Sequence, residues 1–401
     1  MLTLLPRSRS STPGERTPGP DWWRWLPAGG AVLAGLLVLA FATLRSSDDT
    51  PLSDMPLADM PLIERLPGIQ EAAPVDEPPP AVLGYLPYWE QGSAMDDALR
   101  EPDLLTAAAP WWYAPTEQGD VVEQHPRFTD TGDDVVARLR AGGLSVMPTI
   151  ANHRDGEWDF EVVPRLIADE AARSAHVDNL VALVDDRDYD GIVVDYELLG
   201  ADDRDNFTAF VTELGAALHA RDRRLAVALH AQASDEGSGG HNVAQDYRAI
   251  GEAADEVHLM TYDLHYDESE PGPIAPLPWA TEVLDYATDR IPPDKLLLGI
   301  GLFGYDWPEG EPADDLQLHQ VAERIDGNDG DQGYDEDAES PWFRYEQDGV
   351  DRALWYEDAR SVAAKLALVD EYDLGGAFLW RLGGVPDEIW EAAEQTLGTE
   401  S

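Results

Sequence analysis

The sequence contains no cysteine and few basic residues. The absence of cysteine excludes disulfides, thiol nucleophiles and thiolate metal sites. The 401 residues include 27 lysines and arginines against 79 aspartates and glutamates, a formal net charge of -52. Such a polyanion repels nucleic acid and anionic lipid, so we expect no nucleic-acid partner. The acids are scattered along the chain, which indicates a solvated surface suited to high salt, as in a halophilic host.

The common catalytic and cofactor motifs are missing as well. The sequence has no Gly-x-Ser-x-Gly elbow, and no glycine-rich phosphate loop follows the first apolar run. No histidine pairs with a glutamate at zincin spacing. Isolated histidines are usually surface or hydrogen-bonded core residues, and we interpret five of them in this way: His153, His230, His241, His258 and His265.

An apolar run from Trp25 to Leu44 lies near the N-terminus and follows four arginines. About 20 apolar residues are enough to span a bilayer. Arginines before the span predict a cytoplasmic tail over residues 1–24, a transmembrane signal anchor over 25–45 and an extracytoplasmic remainder. The expected location is therefore the cell membrane, with a single pass. The alternative is secretion after cleavage of a signal peptide near Ala42.

Residues 46–80 form an acidic, proline-rich segment that is poor in aromatic residues. It contains a short repeat, Asp54-Met55-Pro56-Leu57 followed by Asp59-Met60-Pro61-Leu62. Such a composition cannot build a core, so we predict an extended, semi-rigid linker.

From residue 81 to residue 401, short apolar runs alternate with helical patterns, which indicates βα units around a parallel sheet. Eight such units predict an α/β fold of the (β/α)8 TIM barrel type. An open doubly wound sheet is the alternative architecture. The predicted strands are Val82–Leu86, Ala107–Tyr113, Leu144–Ile150, Gly191–Tyr196, Leu225–Leu229, Glu256–Thr261, Leu296–Gly301 and Gly376–Trp380.

The connection between the seventh and eighth strands is too long for a simple barrel loop. We predict a small α/β insertion over about residues 303–357. An Asp348-Gly349 pair between aromatic runs is a strong β-hairpin signal. The acidic tract Asp326–Glu339 allows a calcium loop with Asp326, Asn328 and Asp337, but no glutamate closes it, so a solvated acidic loop is favoured.

The chain is organised around the stretch Asp190-Gly191-Ile192-Val193-Val194-Asp195-Tyr196-Glu197, which predicts a buried strand ending in carboxylates. Because strand side chains alternate, Asp195 and Glu197 lie on one face together with Val193. Two acids this close raise at least one pKa, so that one group can act as a general acid in glycosidic bond cleavage. A pair of solvated acids in an acidic protein is the alternative interpretation.

Aromatic and acidic residues follow several of the other predicted strands. In TIM barrels the C-terminal ends of the strands carry the catalytic residues. Aromatic faces stack on sugar rings and carboxylates bind hydroxyl groups, so this rim predicts a carbohydrate cleft. The rim segments are Gly84 to Trp89, Trp111-Trp112-Tyr113, Met260-Thr261-Tyr262-Asp263 and Trp380.

The central stretch resembles the Asp-Gly-x-Asp-x-Asp-x-Glu signature of family 18 glycoside hydrolases, the chitinase-like barrels. Supporting matches lie between Val82 and Gly384: Gly84-Tyr85, Met260-Thr261-Tyr262-Asp263, Leu298-Gly299-Ile300-Gly301, Tyr305-Asp306-Trp307 and Trp380. The stretch Leu354 to Ser361 and the inserted hairpin are similar to the branch that includes spore-cortex peptidoglycan N-acetylglucosaminidases.

This resemblance implies a substrate-assisted, retaining hydrolysis of glycans that contain β-linked N-acetylglucosamine, such as peptidoglycan fragments or chitin-like oligosaccharides. Glu197 would act as the acid and base, Asp195 would orient the 2-acetamido group, and Tyr262 would hydrogen-bond to it. Tyr85 would also support Asp195. The implied substrate-binding residues are Tyr85, Trp89, Trp112, Met260, Asp263 and Trp380. The resemblance implies no metal and no organic cofactor.

One position departs from the family pattern, because Val193 stands where chitinases carry an aspartate that faces the central acid. Valine cannot hydrogen-bond, so we expect an active enzyme with a shifted pH profile. A glycan-binding, lectin-like protein on an inactive barrel is the alternative function. It is disfavoured because such lectins usually lose the acid, whereas Glu197 is present. An envelope adaptor is a third hypothesis, which leaves the rim aromatics unexplained.

Overall fold

The computed structural model describes residues 80–100, 104–124, 132–154, 156–235 and 242–398. The predicted cytoplasmic tail and signal anchor lie outside these residues, as does the predicted linker except for its last residue. Within the described ranges, no helix is long and apolar enough to cross a membrane.

The strands and helices follow one another in the alternating order that the sequence predicts. The strands are Ala81–Pro87 (β1), Ala107–Pro115 (β2), Val121–Glu123 (β3), Ser145–Val146 (β4), Thr149–Ala151 (β5), His153–Arg154 (β6), Glu157–Trp158 (β7), Gly191–Asp195 (β8), Arg224–His230 (β9), Glu256–Met260 (β10), Leu296–Gly301 (β11), Phe303–Pro308 (β12), Asp314–Gln317 (β13), Gly330–Asp335 (β14), Ser340–Gln347 (β15), Val350–Tyr356 (β16) and Gly376–Trp380 (β17). The α-helices are Gln91–Arg100 (α1), Gly132–Ala141 (α2), Val162–Ala168 (α3), Glu170–Asp186 (α4), Arg204–His219 (α5), Tyr247–Ala253 (α6), Leu277–Thr288 (α7), Leu318–Asp326 (α8), Ala359–Glu371 (α9) and Asp387–Leu397 (α10).

Parallel strands close into a barrel. Around the barrel the strands run β1, β17, β11, β10, β9, β8, β5 and β2, and β1 pairs with both β17 and β2. The third position is shared between β4 and β5, which both pair with β2. This closure confirms the predicted (β/α)8 barrel and excludes the open doubly wound sheet, because every barrel strand has a partner on each side.

The core consists of two layers that the strand alternation separates. Ile192, Val194 and Tyr196 face outward and pack with the helices. Val193 faces inward and packs inside the barrel with residues such as Met147 and Ala226. The predicted stripe on α5 is fully buried in the outer layer: Phe207, Phe210, Val211, Leu214 and Leu218. The period-2 and period-3.6 patterns of the sequence therefore identify the buried faces correctly.

The insertion between β11 and β17 forms a five-stranded antiparallel sheet, in the order β13, β12, β16, β15, β14, with α8 packed on it. The predicted hairpin joins β15 to β16, and Gln347 pairs with Val350. Its turn residues Asp348 and Gly349 both have positive φ, at 56° and 82°. Two positive φ values are what a type I′ hairpin turn needs, which explains the Asp-Gly signal.

The acidic tract 326–339 is not the solvated loop that the sequence predicts. Its middle is the strand β14, which pairs with β15 over six residues. The prediction is wrong here because a strand at a sheet edge can keep its acidic side chains in solvent while its backbone hydrogen-bonds inward. Among the described residues, no three acidic or histidine side chains lie together so that they could hold a metal ion.

Candidate active site

The first two residues of the central motif hold β8 in place. The Asp190 carboxylate accepts a hydrogen bond from the Val146 amide at 2.8 Å, which ties the strand start to β4. At Gly191, an added Cβ would lie 2.2 Å from the Arg224 carbonyl oxygen. Only glycine permits this close approach between β8 and β9. These two motif residues therefore position the strand and leave the chemistry to its other end.

The last residues of the motif bring two carboxyl groups together at the C-terminal rim of the barrel. Asp195 is 5% exposed and accepts a hydrogen bond from Trp111 Nε1 at 2.9 Å. The Glu197 carboxyl lies close enough to share its proton with Asp195. The Glu197 backbone is held on both sides by Asn152, whose side chain accepts from its amide at 2.8 Å and donates to its carbonyl at 3.0 Å.

The two carboxyl groups favour a protonated state. Burial raises the pKa of Asp195 to about 6, although the hydrogen bonds from Trp111 and Glu197 and the nearby His258 lower it. Burial also raises the pKa of Glu197 well above its usual range, with further increases from the charges of Asp195 and Asp263. Desolvation and a like charge both disfavour ionisation. The pair therefore keeps a proton on Glu197 near neutral pH, as a general acid requires.

Tyr262 faces the interior of the barrel just beyond β10, at 9% exposure. Its ring makes edge contacts with Phe303 and Phe378, which fix its orientation. Burial raises the pKa of the Tyr262 phenol well above its usual value. Nearby negative charges, such as those of Asp195 and Glu197, raise it further. The phenol therefore stays protonated, and it can donate a hydrogen bond beside the carboxyl pair.

Tyr85 lies on the inner face of β1, but its hydroxyl is hydrogen-bonded to His258 Nδ1 at 2.6 Å. His258 is completely buried, and its other ring nitrogen lies 3.4 Å from the Glu256 carboxylate. The nearby His258 in turn lowers the pKa of Asp195. The predicted support of Asp195 by Tyr85 is thus indirect in the structure, through a histidine inside the barrel.

Asp263 follows Tyr262 at the rim, with φ of 63°. Its carboxylate accepts a hydrogen bond from Tyr305 Oη at 3.1 Å, which connects the rim to the inserted sheet. Desolvation by the surrounding protein raises the pKa of the Asp263 carboxyl above its usual range. The negative charges of Asp315 and Asp267 raise it further. Met260, the last residue of β10, is half-buried and packs against the inner core.

Aromatic rings line the rim beside the carboxyl pair. Trp111 makes edge contacts with Trp89 and Trp380 at centroid distances of 5.4 and 6.1 Å. Trp89 is 37% exposed, so its ring is available to a ligand. Trp380 also contacts Tyr85 at 5.5 Å. These rings provide apolar faces of the kind that stack on sugars.

Trp112 corrects a sequence prediction. It is 1% exposed and packs in the outer core between strand and helices, so it cannot contact a ligand in the barrel mouth. Trp111 faces inward instead, with the same parity as Ala107 and Ala109. The ladder between β2 and β5 is irregular just after Trp111, and both Trp112 and Tyr113 end up in the outer layer.

Comparison with known proteins agrees with this geometry. Residues 82–384 match the glycosyl hydrolases family 18. The chain belongs to this family. The matched residues therefore form a glycosidase domain, and the rim residues described above belong to a family 18 site.

Two curated relatives and one solved structure illustrate the similarity. The chain is 33% identical to YdhD of Bacillus subtilis, a candidate sporulation-specific glycosylase, over 60% of this chain and 58% of that protein. It is 31% identical to the cortical fragment-lytic enzyme of Bacillus subtilis, over 60% of this chain and 57% of that enzyme. The match thus spans less than two thirds of either relative. A chitinase from Chromobacterium violaceum is 32% identical with a TM-score of 0.73, covering 80% of this chain and 100% of that chain.

Several residues of this family 18 site were not predicted from the sequence, and Trp111 was predicted only as part of the aromatic rim. Trp111 hydrogen-bonds to Asp195, and Asn152 hydrogen-bonds to the backbone of Glu197. His230 Nε2 lies 3.3 Å from Glu197 Oε2. His153 and Trp158 contact Trp111 at 5.1 and 6.2 Å and extend the aromatic wall. Asn152 and His230 both stand at the C-terminal ends of barrel strands. The rim rule marks these two positions as candidates, but it does not show that they contact Glu197.

Proposed function

We propose that this family 18 domain cleaves glycans at β-linked N-acetylglucosamine by a retaining, substrate-assisted hydrolysis with Glu197 as acid and base. The observation that carries the proposal is the carboxyl pair at the C-terminal end of β8, where burial and the neighbouring Asp195 raise the pKa of Glu197 well above its usual range. The pair lies at the C-terminal rim of the barrel, where TIM-barrel active sites are built.

The closeness of the two carboxyl groups argues against an ordinary two-carboxylate mechanism. In that mechanism a retaining glycosidase places acid and nucleophile about 5 Å apart, on opposite faces of the sugar. Asp195 is the last residue of β8 and Glu197 follows two residues later, within range of a shared proton. Asp195 is also buried beneath the rim and bonded to Trp111, so it is poorly placed to attack a sugar carbon.

The substrate's own acetamido oxygen then serves as the nucleophile. It attacks the anomeric carbon while Glu197 gives its proton to the leaving glycosidic oxygen, and the products of this step are a free sugar end and an oxazolinium intermediate. Asp195 orients the acetamido N–H and balances the positive charge, and Tyr262 donates to the acetamido oxygen. The Glu197 carboxylate next takes a proton from water, whose oxygen attacks the anomeric carbon and restores the acetamido group.

We further propose that peptidoglycan fragments are the preferred substrate, with chitin oligosaccharides as the other outcome of the test. The similarity to a cortical fragment-lytic enzyme and the inserted sheet beside the rim support peptidoglycan. The similarity to a chitinase over 80% of this chain supports the shared N-acetylglucosamine unit. Asp263, Trp89, Trp380 and Met260 would then contact the sugars.

The proposal is tested by the release of reducing sugar from both glycans at high salt. Wild type, Glu197→Gln and Glu213→Gln are compared, because Glu213 is a surface glutamate paired with Arg173 on the outer helices. We expect turnover in the wild type and in Glu213→Gln, loss of at least about 1000-fold in Glu197→Gln, and retained anomeric configuration by NMR. Binding without turnover in the wild type would instead favour a lectin-like protein.

We propose, finally, that residues 25–45 anchor the enzyme in the cell membrane and that the domain lies outside it. This proposal rests on the apolar run from Trp25 to Leu44 and on the arginines that precede it. Fractionation of the expressing cells, with protease treatment of intact cells, tests this. Recovery of the full-length chain in the culture medium would contradict the anchor, and recovery of a chain shortened near Ala42 would favour a cleaved signal peptide.

A further inference from the structure

His230 is the last residue of β9, the strand next to β8 in the barrel. It has the same parity along β9 as Ala226, which packs inside the barrel. Side chains two and four residues apart on a strand share a face, so the His230 ring points toward the barrel mouth above a small residue. In register it lies beside Met260 of β10.

The backbone of His230 is held by more than the sheet. Its amide donates to Gln245 Oε1 at 2.8 Å, and its carbonyl accepts a hydrogen bond from Tyr247 Oη at 2.5 Å. Gln245 lies just before α6 and Tyr247 is its first residue, so the end of β9 cannot shift unless the start of α6 shifts with it. The ring is therefore presented to the site from a fixed position.

The ring of His230 contacts the acid of the proposed reaction. His230 Nε2 lies 3.3 Å from Glu197 Oε2, and the two side chains are 26% and 17% exposed. Asn152 fixes the backbone of Glu197 from the other side. Glu197 thus lies between Asp195 at the end of β8 and His230 at the end of β9.

The groups around Glu197 differ in what they do to its charge. The titratable groups that face Glu197 from the packed elements are Asp195 on β8, Asp263 and Tyr262 beyond β10, Tyr85 on β1 and His230 on β9. The carboxylates oppose a negative charge on Glu197. An imidazole N–H favours it, whether the ring is neutral or charged.

We propose that His230 is a positioning residue that donates a hydrogen bond to the Glu197 carboxylate once Glu197 has given up its proton. This inference rests on the proposed function, in which Glu197 must be acid and carboxylate in turn. The carboxylate formed in the first step faces the negative charges of Asp195 and Asp263. His230 stabilises it for the second step, in which it takes a proton from water.

The test compares full-length wild type with His230→Phe, His230→Gln and His219→Gln. Phenylalanine keeps the ring and removes the donor, whereas glutamine keeps an N–H donor. His219 lies at the end of α5, where it is bonded to Asp255 on the outside of the barrel, and serves as the matched control. Rates are measured as kcat and KM over a range of pH.

We expect His230→Phe to lower kcat about 10-fold while KM stays within about twofold, the loss of one charge-assisted hydrogen bond. The carboxylate of Glu197 would be less stable, so the alkaline limb of the profile should move to higher pH by roughly half a unit to one unit. His230→Gln should stay closer to wild type, and His219→Gln should match it. Superimposable pH profiles, a loss confined to KM, or equal losses in both His230 variants would overturn the proposal.

A second measurement does not depend on turnover. The ring signals of labelled histidines are followed by NMR against pH in the wild type and in Glu197→Gln. Signals of His230, assigned by their loss in His230→Phe, should follow the ionisation of Glu197 in the wild type and lose that step in Glu197→Gln, while those of His219 stay unchanged. Identical His230 curves in both proteins would overturn the contact even if the enzyme proved inactive. An inactive wild type with the NMR step intact would overturn the proposed function alone.

Discussion

Trp111 and Asp195 are joined by a hydrogen bond of 2.9 Å from the indole Nε1 to the buried carboxylate. The bond favours the ionised form of Asp195, so its loss should raise the pKa of that group. We expect Trp111→Phe to move the acid limb of kcat/KM to higher pH and to lower kcat/KM about 10-fold or more, the range for hydrogen bonds to charged groups.

Trp112→Phe is the matched control for this experiment. Trp112 neighbours Trp111 in sequence but packs in the outer core. Its replacement should lower thermal stability without moving the acid limb. Equal shifts of the limb in both variants would contradict the assignment of Trp111 to Asp195.

The carboxyl pair should also make folding depend on pH. Asp195 has a folded-state pKa raised to about 6 and Glu197 is raised too, so the folded protein holds protons that the unfolded chain has released. This contribution to stability is fully present below about pH 4 and is lost as pH rises through 6. Relative to wild type, the double variant Asp195→Asn, Glu197→Gln should gain unfolding free energy between about pH 4 and pH 7, with about 2 to 3 kcal/mol from Asp195 alone and a further gain from Glu197. Denaturant titrations measure the difference, and a gap that is independent of pH would contradict it.

The sequence was sufficient for the barrel and for the carboxyl pair because both depend on local patterns. The run Ile192 to Val194 predicts a strand buried on both faces, and the alternation after it places Asp195 and Glu197 together. The same patterns cannot decide between Trp111 and Trp112. In a strand that is apolar on both faces, the choice depends on the register with β5, and the ladder is irregular at that point.

His230 and Asn152 show a second limit. Each becomes a site residue only through contact with Glu197, which is 33 positions from one and 45 from the other along the chain. Their residue types carry no signal by themselves, since a lone histidine or asparagine is common at the end of a strand. Barrel closure brings His230 and Asn152 next to Glu197. The alternating pattern within one strand does not show which residues of other strands will be its neighbours.

Gly191 should be much less tolerant of substitution than a glycine with open space around it. An alanine Cβ there would lie 2.2 Å from the Arg224 carbonyl oxygen, so β8 and β9 would have to separate. We expect Gly191→Ala to cost about 2 kcal/mol or more in unfolding free energy, as overpacking of a core does. Gly92 in α1 has no atom within 4 Å of an added Cβ, and Gly92→Ala should stabilise by about 0.5 to 1 kcal/mol. Equal effects of the two changes on the denaturation midpoint would refute this account of the motif glycine.

Val193 is the position at which this chain departs from the family pattern, beside the carboxyl pair of the site. Its side chain is fully buried on the inner face of β8, two residues before Asp195. An aspartate there would place a further acid beneath a carboxylate that already resists ionisation, so Val193→Asp should raise the pKa of Asp195 and move the acid limb to higher pH. Val193→Asn is the control, because it adds a polar group of similar size without the charge and should leave the limb near its wild-type position. Because both variants bury a polar group, both should lower stability, and only the charged one should move the limb. If Val193→Asp changed neither the rate nor the pH optimum, the valine would have no influence on Asp195.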